Sequence, residues 1–170
     1  STEIINVSNM TVSDLVSLGR FPHTDWTGRL CVHDRIAVAD ALERTGMTGF
    51  ASRFLTELSD GEKQRAMIAR VLAQDAGIMI MDEPTAFLDL PGKYEIMNLL
   101  RELSRNGKSV IFSTHDLDIA LKLSDRIWLM LKDRLVEGTP AELTEDGSLA
   151  SMFGPEGADF FSRDYLKNLR

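Results

Sequence analysis

Apolar residues recur at intervals of three and four along much of the chain, a spacing that places them on one face of a helix. The first two such stretches stop at Gly19 and Gly46, and glycine commonly follows a helix C-terminus. A later stretch has Pro91 in its first turn, where proline is well tolerated. The pattern predicts helices over residues 11–18, 33–45, 60–74, 91–104 and 117–123 and from about residue 139.

Continuous apolar runs separate some of these helices, at residues 78–81 and 109–113. Such a run is typical of a strand that is buried on both faces, as in a parallel sheet. Residues 126–131 and 134–137 flank a polar two-residue turn and predict a hairpin. Helices that alternate with buried strands predict an α/β domain with a mostly parallel sheet. The first sixty or so residues lack a clear strand, and we expect them to form a separate helical lobe.

The composition restricts the class of protein and its partners. The chain has 170 residues, with 44% hydrophobic and 26% charged residues, as in ordinary globular proteins of one domain. Its net charge of −7 argues against a nucleic-acid partner, because such a partner needs a basic face. Cys31 is the one cysteine, so no disulfide forms within the chain. No apolar run approaches the roughly 20 residues that span a bilayer.

Two adjacent acids, Asp82 and Glu83, follow the apolar run at residues 78–81. Ligands of open α/β sheets bind at the carboxyl ends of the strands. There Asp82 can hold Mg²⁺, directly or through water, as in P-loop NTPases. Glu83 can accept a proton from an attacking water or orient that water. Taken alone, the pair is explained equally well as a solvated strand end.

The segment Ser59-Asp60-Gly61-Glu62 precedes the third predicted helix. Ser59 and Glu62 match the capping-box pattern, and a well-formed helix start is the simpler interpretation. The alternative is that this helix start binds a phosphate, because its free N–H groups and the helix dipole attract anions. Gly61 would let the backbone approach such a ligand closely.

His115 follows the second predicted strand, and Asp89 precedes the helix that contains Pro91. A ring nitrogen of His115 can contact a terminal phosphate or the attacking water, but a lone histidine at a strand end more often has a structural role. The simpler role of Asp89 is that of a helix cap or turn residue. Neither residue identifies a function by itself.

Together and in this order, these segments resemble the ATP-binding cassette of ABC transporters. Residues 58–62 (Leu-Ser-Asp-Gly-Glu) are similar to the family's signature sequence, usually Leu-Ser-Gly-Gly-Gln. Residues 78–83 resemble the Walker B strand with its catalytic glutamate, residues 86–89 the D-loop, and His115 the switch histidine. The resemblance covers about residues 2–153. It implies the P-loop NTPase fold, truncated to a helical lobe and the C-terminal part of a mostly parallel sheet.

A narrower resemblance lies at residues 12–23, which are similar to those of cassettes that import iron–siderophore complexes, haem or cobalamin. In those subunits the helical lobe docks on the coupling helices of a membrane permease. The resemblance therefore implies a cytoplasmic protein, peripheral on the inner face of the cell membrane. The implied domains are a permease-facing lobe over residues 1–74, the C-terminal part of the ATPase core over 75–153 and a tail over 154–170.

The resemblance also implies roles for the site residues in a head-to-tail dimer of two ATP-binding subunits. Ser59 and Gly61 bind the γ-phosphate of ATP across the dimer interface. The other implied roles are Mg²⁺ support by Asp82, activation of water by Glu83, sensing of the γ-phosphate by His115 and a link between the two sites through Asp89.

Three departures from the family pattern affect these roles. Asp60 and Glu62 stand where the family usually has Gly and Gln, and we expect both side chains to point away from the phosphate. The Q-loop glutamine of the family aligns near Glu3, which becomes a candidate nucleotide-binding residue. The largest departure is that the 170 residues contain no Gly-x-x-x-x-Gly-Lys-Ser/Thr loop and no counterpart of the aromatic residue that stacks on adenine.

In the family both missing elements precede the Q-loop, so we expect them upstream of Ser1 in a longer parent protein. Without the loop's N–H groups and lysine, we expect this chain alone to have no ATPase activity and weak or no affinity for nucleotide. In the family's sheet the P-loop strand lies between the strand that ends at His115 and the strand at residues 126–131. Its absence predicts two unpaired strand edges, and we expect the isolated chain either to self-associate or to pack irregularly there.

Three other interpretations remain open. The first is an ABC-type ATPase that maintains DNA, although the acidic charge and the absence of long heptad arms argue against it. The second is an interaction domain that keeps the cassette shape without chemistry. Intact Asp82, Glu83 and His115 argue against this for a full-length parent, but it is close to our expectation for the isolated chain. The third, an unrelated α/β domain, would require four motifs to match by chance in the right order.

Overall fold

The computed structural model describes residues 9–152. Contacts divide the chain between Thr114 and His115 into two units, called unit 1 and unit 2 below. Within the described residues, no helix combines the length and the apolar character that crossing a membrane requires. The domain boundary expected at residue 74 stays a prediction.

Unit 1 begins with three α-helices that pack on one another. The first, α1 (Val12–Ser17), starts at a capping box in which the Thr11 hydroxyl accepts from the Asp14 N–H at 3.1 Å and the Asp14 carboxylate accepts from the Thr11 N–H at 3.0 Å. It is followed by α2 (Val32–Arg44) and α3 (Asp60–Ala73). Apolar side chains spaced three and four apart form the core between them, and its buried members include Val12, Val16, Val38, Ala41, Leu42, Ala66 and Ala69.

Between α1 and α2, the segment Leu18–His23 forms a 3₁₀ helix. Arg20 lies in this segment, is only 2% exposed and anchors the segment to α2 and α3. Its guanidinium donates to the Asp34 carboxylate at 2.9 Å and to the Ala73 carbonyl at 2.8 Å.

In the described residues of unit 1 the sheet consists of β1 (Ile78–Asp82) and β2 (Ser109–Ser113), which run parallel and in register along their whole length. They are joined by α4 (Leu90–Arg105), as a parallel pair requires a crossover connection. The buried side chains of this helix are Ile96, Met97, Leu99, Leu100 and Leu103. The arrangement confirms the predicted α/β class with a parallel sheet.

The two faces of β1 differ in burial. Met79 is 2% exposed, whereas Ile78 and Ile80 are 62% and 74% exposed. Alternate residues of a strand point to opposite faces, so only one face of β1 is covered within unit 1. The prediction that this apolar run is buried on both faces is therefore wrong for the structure as described, because burial depends on which elements pack over each face.

Unit 2 contains α5 (Leu117–Leu123), the antiparallel strands β3 (Ile127–Met130) and β4 (Leu135–Gly138), and the short helices α6 (Pro140–Glu145) and α7 (Ser148–Ser151). The hairpin and the first two helices agree with the sequence prediction, and α7 was not predicted. The buried core of this unit is formed by Leu129, Leu143 and Leu149. Wherever the sequence predicted the first or last residue of a helix, the observed end lies within one or two residues of it.

Candidate functional site

The acidic pair lies at the carboxyl end of β1, as the sequence predicts. Asp82 is the last residue of the strand, and Glu83 is the first residue of the loop that leads to α4. Glu83 has a φ of 46°, a left-handed backbone that residues with a Cβ seldom adopt for steric reasons. The next two residues, Pro84 and Thr85, are both buried. The strained backbone of Glu83 is thus followed by two residues that burial holds in place.

The end of β2 is hydrogen-bonded to this acidic pair. Ser113 lies opposite Asp82 in the strand register, and its hydroxyl donates to the Asp82 carboxylate. The Glu83 N–H donates to the Ser113 hydroxyl at 3.1 Å and to the Ser113 carbonyl at 3.2 Å. One serine therefore contacts both acidic residues.

A side chain from α3 also reaches Glu83. Gln64, in the second turn of α3, donates from Nε2 to the Glu83 carbonyl at 3.3 Å. Neither Gln64 nor Ser113 belongs to the site residues predicted from the sequence. The expected parallel register could have indicated Ser113, because it pairs the ends of the two strands. The Gln64 contact depends on helix packing and has no signal in the local sequence.

The start of α3 forms the complete capping box that the sequence predicts. The Ser59 hydroxyl accepts from the Glu62 N–H at 3.3 Å, and the Ser59 N–H donates to the Glu62 carboxylate at 2.7 Å. The Ser59 hydroxyl also donates to that carboxylate at 2.9 Å. The amide and then the hydroxyl of Ser59, together with the positive charge of Arg53, hold the pKa of Glu62 below its usual value. The helix dipole favours an anion at this position.

The two acids that depart from the family signature behave differently. Asp60 lies on the exposed surface and pairs with Lys63 at 3.1 Å. Glu62 instead folds back over the helix start, because its carboxylate accepts from both donors of Ser59. The expectation that both side chains point away from the phosphate stays a prediction. An incoming phosphate would meet a Ser59 hydroxyl that already donates to a carboxylate.

The start of α3 and the loop before α4 line one open cleft of about 500 Å³. In the loop, Phe87 has a φ of 63° and is 77% exposed. A Cβ at Gly61 would lie 3.3 Å from the Phe87 carbonyl oxygen, so glycine permits the close approach of the two segments. Asp89 caps α4 by accepting from the Gly92 N–H at 3.0 Å. The residues that line the cleft are Ser59, Asp60, Gly61, Glu62, Arg65, Phe87, Leu88 and Asp89.

Two predicted site residues lie elsewhere in the chain. His115 is the first residue of unit 2 and follows the end of β2 by two positions. Glu3 lies outside the described residues. The remaining predicted residues lie in unit 1, where the capping segment 59–62 and Asp89 share the cleft, and α3 contacts Glu83 through Gln64.

The residues of unit 1 present some of the groups that phosphate chemistry uses. The Asp82 carboxylate is a hard oxygen donor, the type of ligand that Mg²⁺ prefers. Glu83 adds a carboxylate at the next position, and the start of α3 offers a helix N-terminus, which favours phosphate. Positioning and charge stabilisation by such groups are the main means of phosphoryl-transfer catalysis.

The family profile and the individual relatives that match this chain all belong to ABC transporters. The sequence profile of a family described as ABC transporter matches residues 5–86. The chain is 39% identical over 146 residues to the achromobactin transport ATP-binding protein CbrD of Dickeya dadantii, a match that covers 85% of the chain and 54% of that protein. It is 40% identical over 148 residues to the iron(3+)-hydroxamate import ATP-binding protein FhuC of Bacillus subtilis, covering 86% and 55%. The chain thus spans about half the length of the curated relatives it matches.

The fold is also similar to that of solved structures. One is a metal-chelate type ABC transporter in an inward-facing conformation, with a TM-score of 0.77 and 27% sequence identity. The match covers 85% of this chain and 58% of the solved chain. The similarity therefore extends over most of the described residues.

Proposed function

The chain belongs to the ATP-binding subunits of ABC transporters, and on this premise we propose that it supplies the signature and Walker B segments of a subunit that binds and hydrolyses ATP for an importer. The proposed cargo is an iron complex, of a siderophore or haem, or cobalamin. The iron assignment is supported by the relative from Bacillus subtilis, which is named for import of iron(3+)-hydroxamate.

The observation that carries this proposal is the grouping of Asp82, Glu83 and Ser113 at the carboxyl ends of two parallel strands. Ligands of open α/β sheets bind at that edge. The start of α3 lies beside the same loop, as the contact between Gln64 and Glu83 shows. The two acids and the start of α3, which is the proposed phosphate-binding segment, therefore lie close together in unit 1.

In this function Asp82 holds Mg²⁺, whose charge, when it is bound, offsets the negative charge of the phosphates. The oxygen donors present fit that ion. Glu83 accepts a proton from the attacking water or orients it. For the other predicted residues we propose phosphate binding by the segment 59–62, phosphate sensing by His115, a link between the two sites of a dimer through Asp89, and the Q-loop position for Glu3.

The proposed partners are a second ATP-binding subunit and a membrane permease. The lobe over residues 1–74 would face the permease, and the protein would lie on the cytoplasmic side, peripheral on the inner face of the cell membrane. The likeness to a metal-chelate type ABC transporter supports this assignment. The net charge of −7 argues against a nucleic-acid partner.

For the 170 residues taken alone, we propose weak or no nucleotide binding and no hydrolysis. The sequence holds no Gly-x-x-x-x-Gly-Lys-Ser/Thr loop, and this loop supplies the N–H groups and the lysine that cradle phosphates. The Glu62 carboxylate at the start of α3 also disfavours an isolated anion there, because like charges repel.

Calorimetric titration with Mg-ATP, on this chain and on the full product of its gene, tests the proposal. We expect tight binding and hydrolysis only in the full gene product. There Glu83→Gln should leave ATP affinity nearly unchanged and lower the hydrolysis rate by about 100-fold or more, the usual loss when a general base is removed.

Glu102→Gln is the matched control, since it neutralises a glutamate that is 63% exposed and paired with Arg44 at 3.0 Å. This variant should retain full activity. Loss of hydrolysis in both variants, or a full gene product that neither binds nor hydrolyses ATP, would overturn the proposed function. Tight binding by the 170 residues alone would overturn the account of the missing loop.

A further inference from the structure

Glu83 is held through both sides of its backbone by side chains from two different elements. Its N–H donates to the Ser113 hydroxyl of β2 at 3.1 Å and to the Ser113 carbonyl at 3.2 Å. Its carbonyl accepts from Gln64 of α3 at 3.3 Å. We propose that Ser113 and Gln64, called the Glu83 clamp, are positioning residues that fix Asp82 and Glu83 for hydrolysis. This inference rests on the proposed function, in which those two acids act on Mg²⁺ and water.

The backbone of Glu83 requires such support. Its φ of 46° belongs to a region that residues with a Cβ occupy only when the surrounding structure enforces it. The carboxylate is attached to this strained residue, so rotation of the backbone would displace it. A displacement of about 1 Å at a catalytic group can cost roughly 100-fold in rate. Contacts that hold the backbone therefore act on the reaction through Glu83.

Ser113 suits this task through the chemistry of its hydroxyl. A hydroxyl has one donor and two acceptor lone pairs, and here it donates to the Asp82 carboxylate while it accepts from the Glu83 N–H. The same atom thus couples the proposed Mg²⁺ residue to the proposed water-activating residue. Threonine retains this capacity, whereas valine, with the shape of threonine, has neither donor nor acceptor.

Gln64 adds a connection to the helix whose start lines the cleft. Because the donor belongs to α3, a displacement of that helix start would be transmitted to the Glu83 carbonyl. The bond length of 3.3 Å is at the long end for an N–H···O bond. We therefore expect a smaller effect from the loss of Gln64 than from the loss of the Ser113 hydroxyl.

The clamp can be tested first on the 170-residue chain without nucleotide, by NMR measurement of hydrogen exchange at the Glu83 amide. Ser113→Val removes the hydroxyl and keeps the Ser113 carbonyl, the second acceptor of this amide. It should therefore speed this exchange by about threefold, near the lower end of the range that the loss of one ordinary hydrogen bond gives. Ser113→Thr should leave it within about twofold of the unmodified chain, since its hydroxyl remains. Ser109→Ala, at the opposite end of the same strand, is the control and should have no effect.

The catalytic consequence is then measured in the full gene product. Ser113→Val should lower kcat for ATP by about tenfold or more while KM changes little, because the clamp orients reacting groups without binding ATP itself. Ser113→Thr should restore kcat. Gln64→Met, which removes the donor but keeps the length of the side chain, should lower kcat by a smaller factor.

Unchanged exchange at the Glu83 amide in Ser113→Val would show that the clamp does not hold this residue, whatever the ATPase assay gives. Faster exchange with an unchanged kcat would make Ser113 a structural residue only and would also overturn the inference. An unmodified gene product without ATPase activity would instead refute the proposed function, an outcome that the exchange measurement does not share.

Discussion

The guanidinium of Arg20 donates to the carboxylate of Asp34 at 2.9 Å, and both side chains are only 3% exposed. The pair fixes the first turn of α2 to the 3₁₀ segment that follows α1. The same guanidinium donates to the Ala73 carbonyl at the end of α3, where the helix dipole favours a cation. One buried cation therefore joins the ends of two helices in unit 1.

We predict that Arg20→Met strongly destabilises the chain, because it leaves the Asp34 carboxylate buried without its cation and removes the donor to Ala73. In urea unfolding followed by circular dichroism, the loss of unfolding free energy should be roughly three times or more that of Arg44→Met. Arg44 is the matched control, since its pair with Glu102 is much more exposed, at 28% and 63% for the two side chains. Equal losses in the two variants would contradict the assigned importance of the buried pair.

The Asp34 carboxylate should also make the unfolding free energy depend on pH in the acid range. The thiol and then the backbone amide of Cys31, followed by the Arg20 guanidinium, lower the pKa of Asp34 to about 2. The unfolded chain has the ordinary value of about 3.9, so protons bind the unfolded state more tightly. This contribution is therefore complete above about pH 4 and is lost as the pH falls through the folded-state pKa.

The measurement is the urea midpoint at a series of pH values between neutrality and acid, with Asp34→Asn as the comparison. The unmodified chain should lose more stability than the variant over the acid range. Parallel pH profiles for the two proteins would show that Asp34 contributes nothing to the acid dependence.

Gly19 is predicted to tolerate no side chain. A Cβ at this position would lie 2.3 Å from the Arg70 carbonyl oxygen of α3, and backbone atoms cannot move aside cheaply. Gly19→Ala should therefore lower the unfolding free energy by about 1–3 kcal/mol, as overpacking does. Gly49→Ala is the control, because nothing lies within 4 Å of its added Cβ. A loss of stability at Gly49 and not at Gly19 in thermal unfolding would contradict the packing described.

The start of α3 should depend on the Ser59 hydroxyl. Ser59→Ala removes the acceptor of the Glu62 N–H and a donor to the Glu62 carboxylate, and should cost about 1 kcal/mol of unfolding free energy. Ser59→Asn should cost much less, because asparagine caps helices about as well as serine. Urea unfolding of the three proteins distinguishes these outcomes, and equal stability of all three would show that the cap contributes little.

The open face of β1 predicts self-association of the 170-residue chain. Ile78 and Ile80 are 62% and 74% exposed, and in the described residues the sheet of β1 and β2 has no third strand. Exposed apolar surface next to unpaired strand edges promotes association. Sedimentation velocity over a range of concentrations should show species larger than a monomer, and Ile80→Lys should reduce them. Ile36→Lys, at an isoleucine of α2 that is 62% exposed, is the control and should leave association unchanged. If the unmodified chain stays monomeric at all concentrations, this prediction is refuted.

The sequence by itself determined the features that depend on near neighbours along the chain. The three- and four-residue spacing of apolar positions defined the helices to within one or two residues. The Ser59 and Glu62 pair predicted its capping box, because both partners lie within one helical turn. Asp82 and Glu83 could be placed at a strand end because the apolar run stops directly before them.

The tertiary structure decided the features that join distant parts of the chain. The bond from Gln64 to Glu83 and the bond from Arg20 to Ala73 link residues 19 and 53 positions apart, and no local pattern specifies such pairs. The left-handed backbone of Glu83 is likewise not encoded by its residue type, which disfavours it. The exposure of Ile80 was mispredicted for a related reason. An apolar run indicates that a face can be buried, but only the packing of other elements decides whether it is.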